Sequence, residues 1–363
     1  MRIKELTLSC CLVLPGVLSA DCNTPISVSD VPSFIAPESI DSYLADARVR
    51  QNKLCSNDKG MGQDKAIYIT DNRYDAYLAK GAVREAARST AALIKREYLT
   101  KQGNEYVINH GATLQTTGWC SSESFASQPV TANCTAFLVA DNTLVTAGHC
   151  LRNRQGKIPL DTYYVVFGYQ MNNKNQAKTR FPAADVYQIQ SELEVKKNSG
   201  QDWAVVTLDR AVKGRQVFEF ASGEISQGTE LVIFGYPNGL PLKISDGGSV
   251  KRNQRQRTVF DTDLDSYHGN SGSPVLNSQA LKQGRFLVEG ILVSGASDSK
   301  PNGRCKVSVT CASIQLDNAQ HDCSGEQVTK INRVLELDAT PAESYSAPTS
   351  SSSDTQDVMK LFQ

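Results

Sequence analysis

The amino-acid sequence predicts an all-β protein from its strand pattern, with length and cysteine content bounding its size and framework. Short apolar and β-branched runs recur between turn clusters, at 136–139, 144–146, 163–169, 204–208, 230–234, 286–293 and 306–310. Their length and regular spacing argue for a barrel or sandwich rather than βαβ units. The chain is 363 residues long, enough for one large or two modest domains with a substantial core. Its ten cysteines, most of them outside the first twenty residues, read as a disulfide framework.

The N-terminus sets the context for those cysteines. Met1-Arg2-Ile3-Lys4 precedes an apolar stretch from Leu6 to Leu18, then Ser19-Ala20. This is the pattern of a secretory signal peptide cleaved after Ala20, which predicts a secreted or periplasmic protein. Asp21 precedes Cys22 where lipidation wants a small residue, so simple secretion is favoured over a lipid anchor. No later stretch is long and apolar enough to span a bilayer as a helix. Lys plus Arg and Asp plus Glu are each 38, so no charge excess points to nucleic acid or an anionic membrane. Cys10 and Cys11 fall in the leader. The other eight are Cys22, Cys55, Cys120, Cys134, Cys150, Cys305, Cys311 and Cys323. Cys305, Cys311, Cys323 and His321 cluster, but without paired CxxC spacing in an oxidising context. Disulfides are therefore expected there and no metal. Their pairings stay open.

Residues 21–65 are polar, with Pro25, Pro32 and Pro37 and a short helical pattern at Ile40, Leu44 and Ala47. That is too little for an independent core, so the segment reads as a flexible leader or a propeptide removed near Lys65. Ile67 to Thr70 starts a strand. The stretch from Arg84 to Leu99 is ambiguous, its alanines favouring a helix and Thr90 to Ile94 a strand. Asn172–Lys178 and Lys251–Arg257 read as solvated basic loops. Near the end, Ser324 and Gln327 form a capping-box signature. Val328, Ile331, Val334 and Leu335 follow at helical spacing, which predicts a helix. Residues 339–363, rich in Ser, Pro and Thr at their start, read as a disordered tail.

Three strings carry chemistry. Tyr267-His268-Gly269-Asn270-Ser271-Gly272-Ser273-Pro274 places a serine in a glycine turn. Such a turn can aim backbone N–H groups into one small space, although Gly-Ser-Pro turns are also common loop chemistry. Thr146-Ala147-Gly148-His149-Cys150 delivers a histidine at the end of an apolar strand. Asp202-Trp203-Ala204 opens another strand with an aspartate, whose ordinary use there is a turn. Each alone has a structural explanation. Together they run His149, Asp202, Ser271, the chain order of one class of serine hydrolase triad and not of two others.

On these residues the chain resembles trypsin-like serine peptidases, in the bacterial branch that includes the glutamyl endopeptidases. Ile67 to Arg73 is similar to the segment with which mature enzymes of that branch begin. The resemblance spans roughly Ile67 to Leu337. It implies two six-stranded antiparallel β-barrels with a C-terminal helix, in a peptidase domain over 66–338, and it favours a strand within Arg84–Leu99. It implies His149, Asp202 and Ser271 as catalytic residues, with Gly269 and Ser271 N–H groups as an oxyanion hole. It implies Val293, Ser294 and Gly295 as the substrate-pairing strand, and a Cys134–Cys150 bridge. Cys22–Cys55 is a second expected pair, since both precede the mature start.

Two departures stand out. Asn270 replaces the aspartate with which trypsin and chymotrypsin bind a new N-terminal ammonium. Leu292 stands where acid-preferring relatives place a histidine. Asp265 lies six residues before Ser271, where trypsin keeps the aspartate that binds Arg or Lys; a loop hydrogen-bonding role is the alternative. The expectation is a serine endopeptidase acting on peptide or protein substrates, without cofactor or nucleic acid. The rivals are a catalytically silent module of the same fold and a serine esterase. The oligomeric state is not legible.

Overall fold

The structure, a computed structural model, describes residues 66–68, 71–198, 200–295, 298–311 and 325–334, with 35–37, 40, 41, 44 and 323 besides. The expected signal peptide, the Cys22–Cys55 pair and the Ser-rich tail lie outside the described residues. Strands that carry the argument are numbered in chain order.

The N-terminal segment contributes β1 (Ala66–Tyr68) and β2 (Arg73–Asp75). The first barrel is built from β3 (Thr90–Lys95), β4 (Ala132–Ala140), β5 (Thr143–Thr146), β6 (Tyr163–Phe167), β7 (Val186–Asn198) and β8 (Gln201–Leu208). These close in the order β6-β7-β8-β5-β4-β3 and back to β6. Closure satisfies every ladder edge. Ala91, Leu93, Phe137, Val145, Val165 and Trp203 are all at most 1% exposed. Burying a side chain of Val, Leu or Phe size contributes about 1.5–3 kcal/mol each, before the conformational entropy that opposes it.

The second barrel uses β9 (Glu230–Gly235), β10 (Lys243–Arg252), β11 (Val259–Thr262), β12 (Pro274–Asn277), β13 (Leu287–Ser294) and, beyond strand β14 (Cys305–Cys311), β15 (Glu326–Lys330). The pairing of β13 with β15 closes it. Leu231, Ile233, Val250, Phe260, Leu264, Val275, Leu292 and Val328 form its core. Both barrels are six-stranded and antiparallel, as expected.

The expected C-terminal helix is not what the described residues form. Glu326–Lys330 is β15, followed by a single 3₁₀ turn at Ile331–Arg333. The helical spacing misleads because Val328 fills the barrel core while Ile331 and Val334 pack beyond the strand end. Gln327, the supposed capping residue, instead accepts from Ser294 Oγ across the sheet. The ambiguous stretch holds both elements, helix α1 (Gly81–Arg88) and then β3. Nor is 251–257 a wholly solvated loop. Arg252 and Arg257 both donate to Asp261, which is fully buried.

Three bridges join described cysteines: Cys134–Cys150, Cys120–Cys305 and Cys311–Cys323. Ile35, Ala36 and Leu44, from the stretch read as a leader, are buried, and Ala36 N–H donates to Leu78 O. No described helix is long and apolar enough to cross a membrane.

Candidate active site

His149 sits in a 3₁₀ turn, Gly148–Cys150, at the end of β5. Asp202 is the second residue of β8, which pairs with β5 in register Ala204↔Thr146. That register brings the two side chains to one end of the first barrel. Asp202 then grips His149 twice: its Oδ1 accepts the His149 backbone N–H at 2.8 Å, and its Oδ2 lies 2.7 Å from Nδ1. A carboxylate so placed fixes the Nδ1–H tautomer and leaves Nε2 as an acceptor. Asp185 and Asp209 are engaged elsewhere, with Arg215 and Arg210.

Ser271 lies on the loop between β11 and β12. Gly269 has φ +95°, and a Cβ there would overlap Tyr236 O. Asn270 N–H donates to Tyr267 O, Gly272 N–H to Leu292 O and Ser273 N–H to Asn270 O. Among the described residues no acceptor takes the N–H of Gly269 or Ser271. Those two backbone donors are left for another acceptor.

Thr135 of β4 joins this loop to the first barrel. Its N–H donates to Ser271 O at 2.9 Å and its hydroxyl to Gly269 O at 3.0 Å. The hydroxyl also accepts from Tyr236 N–H at 3.3 Å. Cys150 Sγ lies 3.7 Å from Ser271 O. A ring nitrogen of His149 lies within 4.8 Å of the sulfurs of Cys134 and Cys150. These three residues could be mistaken for a metal cluster, but both thiols are spent in their bridge. His149, Asp202 and Ser271 therefore converge between the barrels, although no hydrogen bond joins Ser271 Oγ to His149.

Asp265 is placed differently from the expectation of an open specificity pocket. It is 2% exposed. Its two oxygens accept the backbone N–H groups of Tyr68 and Asn72, each at 2.7 Å. Burial, then Asp71 nearby, pushes its carboxyl up; the two N–H donors and Arg73 pull the other way. Asp265 is an anchor for the N-terminal segment. Arg73, held by Asp71, lies 4.1 Å over the Tyr267 ring and so extends that anchor to the serine loop. Asn270 keeps its side chain inside the loop, donating to Ser266 Oγ, with Oδ1 buried and without a partner among the described residues.

Val293 and Ser294 end β13 and Gly295 follows, Ser294 and Gly295 being exposed. Sequence reasoning missed Thr135, Tyr68 and Asn72. Their roles rest on contacts across more than 100 residues, for which no local signal exists.

A chain of this build, two closed barrels with a polar site between them, has the trypsin-like fold. Residues 134–282 match the trypsin-like peptidase domain family. It is similar to a solved Glu endopeptidase in complex with MPD, at 17% identity and TM-score 0.44, over 74% of this chain and 94% of that one. It is also similar to the inactive form of the Rv3671c protease, at 13% identity and TM-score 0.38, over 70% of this chain and 88% of that one. No curated protein matches the sequence.

Proposed function

We propose that the protein is an exported serine endopeptidase that cleaves peptide bonds through an acyl-enzyme on Ser271. The two-point grip of Asp202 on His149 carries the reading. A serine hydroxyl is a poor nucleophile at neutral pH and needs a base to take its proton during attack. Nε2 of His149 takes that proton as Ser271 Oγ bonds to the scissile carbonyl carbon. The carbonyl oxygen becomes an oxyanion, held by the N–H groups of Gly269 and Ser271. Asp202 stabilises the imidazolium, which then gives its proton to the leaving amine. Water repeats the sequence to release the acid and free the serine. The ladder edge at Val293 to Gly295 serves the substrate backbone by strand addition. Three disulfides fit an oxidising compartment and support export.

The test is covalent labelling by a fluorophosphonate together with hydrolysis of a protein substrate. Wild type should do both, and Ser271→Ala neither while melting as wild type does. An unlabelled wild type would leave a silent module of the same fold. Labelling with turnover of small esters only would leave an esterase.

A further inference from the structure

The stretch from Ile35 to Leu44 reads as part of a leader, yet its apolar side chains sit in the folded domain. Ile35 is 1% exposed, Leu44 4% and Ala36 6%. Ile35 pairs with Ala79 in an antiparallel bridge, and Ala36 N–H donates to Leu78 O at 3.0 Å. Ile35 and Leu44 join the same apolar core as Leu78, Ala79 and Val83, and half-buried Ile40 packs against it. Ile40 and Leu44 lie four residues apart, the spacing of one helical face, while Asp41 is exposed. The place where they dock joins the two barrels. On its upstream side Asp75 of β2 pairs with Lys243 of β10, and Ala76 N–H donates to Leu242 O just before β10. On its downstream side α1 leads into β3 of the first barrel.

We propose that residues 35–44 are a clasp, a permanent part of the working protein that stays docked at Leu78 and Ala79 and does not leave with the leader. Its partner surface is thus the link between the barrels, and its occupant is this chain's own upstream segment. Release would put Ile35 and Leu44 into water and take the Ala36 N–H donor from Leu78 O, and burial of apolar surface opposes that. A cut near Lys65 does not by itself remove the clasp, because the chain is held on both sides of it. Upstream stand Ile35, Ala36 and Leu44. Downstream stands β1, which pairs with β14 in register Ala66↔Val309. None of this depends on the peptidase reading.

The experiment begins with intact-mass spectrometry of the purified, denatured protein. Residues 35–44 should be found, within the main chain or as an accompanying peptide. Their absence from a protein that still melts cooperatively overturns the proposal. Thermal melting of the full chain then compares wild type with Ile35→Asp, Ala36→Pro and, as a control at an exposed position, Asp41→Ala. The first two should lower the midpoint by about 5 °C or more, through a buried charge and a lost backbone donor, and the control should leave it unchanged. Unchanged midpoints in both Ile35→Asp and Ala36→Pro overturn the proposal. Where those variants fail to fold, a chain with wild-type residues 35–44 and a site-specific protease sequence inserted after Gly60 decides. After cutting, the segment should co-elute with the domain in gel filtration, or its departure should lower the midpoint by a similar amount. A domain that sheds residues 35–44 and melts as before overturns the proposal.

Discussion

The backbone N–H of Tyr68 donates to Oδ1 of Asp265 at 2.7 Å, across 197 residues of chain. With the matching bond from Asn72, it ties the N-terminal segment beneath the loop that carries Ser271. In trypsin itself such a tie needs a newly cut terminus. Here it is made by interior peptide groups, and Asn270 takes no part in it.

Replacing Asp265 therefore affects the loop and not the choice of substrate. Asp265→Ala leaves the buried Tyr68 N–H without an acceptor, at about 1–3 kcal/mol, and the partly buried Asn72 N–H at less. Denaturant titration should show that loss. Turnover should fall by a common factor on Arg-, Glu- and Phe-ending peptides. A selective loss on Arg would return Asp265 to the specificity pocket.

Asp202→Asn tests the histidine's orientation. An amide cannot hold the Nδ1–H tautomer or stabilise the imidazolium, and by analogy with the trypsin case turnover should drop about 10⁴-fold near neutral pH. Steady-state kinetics on the best peptide measures it. Wild-type turnover in this variant would show that another group holds His149.

The Cys134–Cys150 bridge closes a loop of sequence separation 16 around β4 and β5, the strands that position Thr135 and His149. In the chain-entropy account a loop of this size is stabilised by about 3 kcal/mol. Replacing both cysteines by alanine should lower the unfolding free energy by about that amount. Non-reducing peptide mapping of the wild type should recover the pair.

Glu192 gives a pH test. Its carboxylate accepts a bidentate pair of bonds from Arg152 at 2.8 and 2.9 Å, and Lys157 lies 3.0 Å away. The Arg152 bonds, working against burial, hold its pKa below the ordinary carboxylate value. A depressed folded-state pKa stabilises the fold above the unfolded-state pKa, and that stability is lost as pH falls through the folded value. Glu192→Gln should therefore cost about 1–2 kcal/mol at pH 7 and nothing in strong acid. Equal unfolding midpoints at pH 7 would refute it.

How much of this was legible in the sequence depends on how local each cause is. The strands of the first barrel announce themselves, because Phe137, Val145 and Val205 sit in apolar runs. Lys243–Arg252 hides, because Asp246-Gly247-Gly248 reads as a turn although β10 continues through it. Val328 and Ile331 mimic a helix because spacing cannot tell two neighbouring packing sites from one helical face. His149, Asp202 and Ser271 could be picked out by their flanking residues. Asp265 could not be placed, because its partners come from the opposite end of the chain.

Thr135 gives the molecule a mechanical character. Through one residue the first barrel touches Ser271, Gly269 and Tyr236, so the joint between the barrels and the frame of the serine loop are the same object. A hinge there could not open without bending the loop. Parting the barrels at this point would break the bonds that hold Ser271 O and Gly269 O, so cleft width and loop shape are coupled.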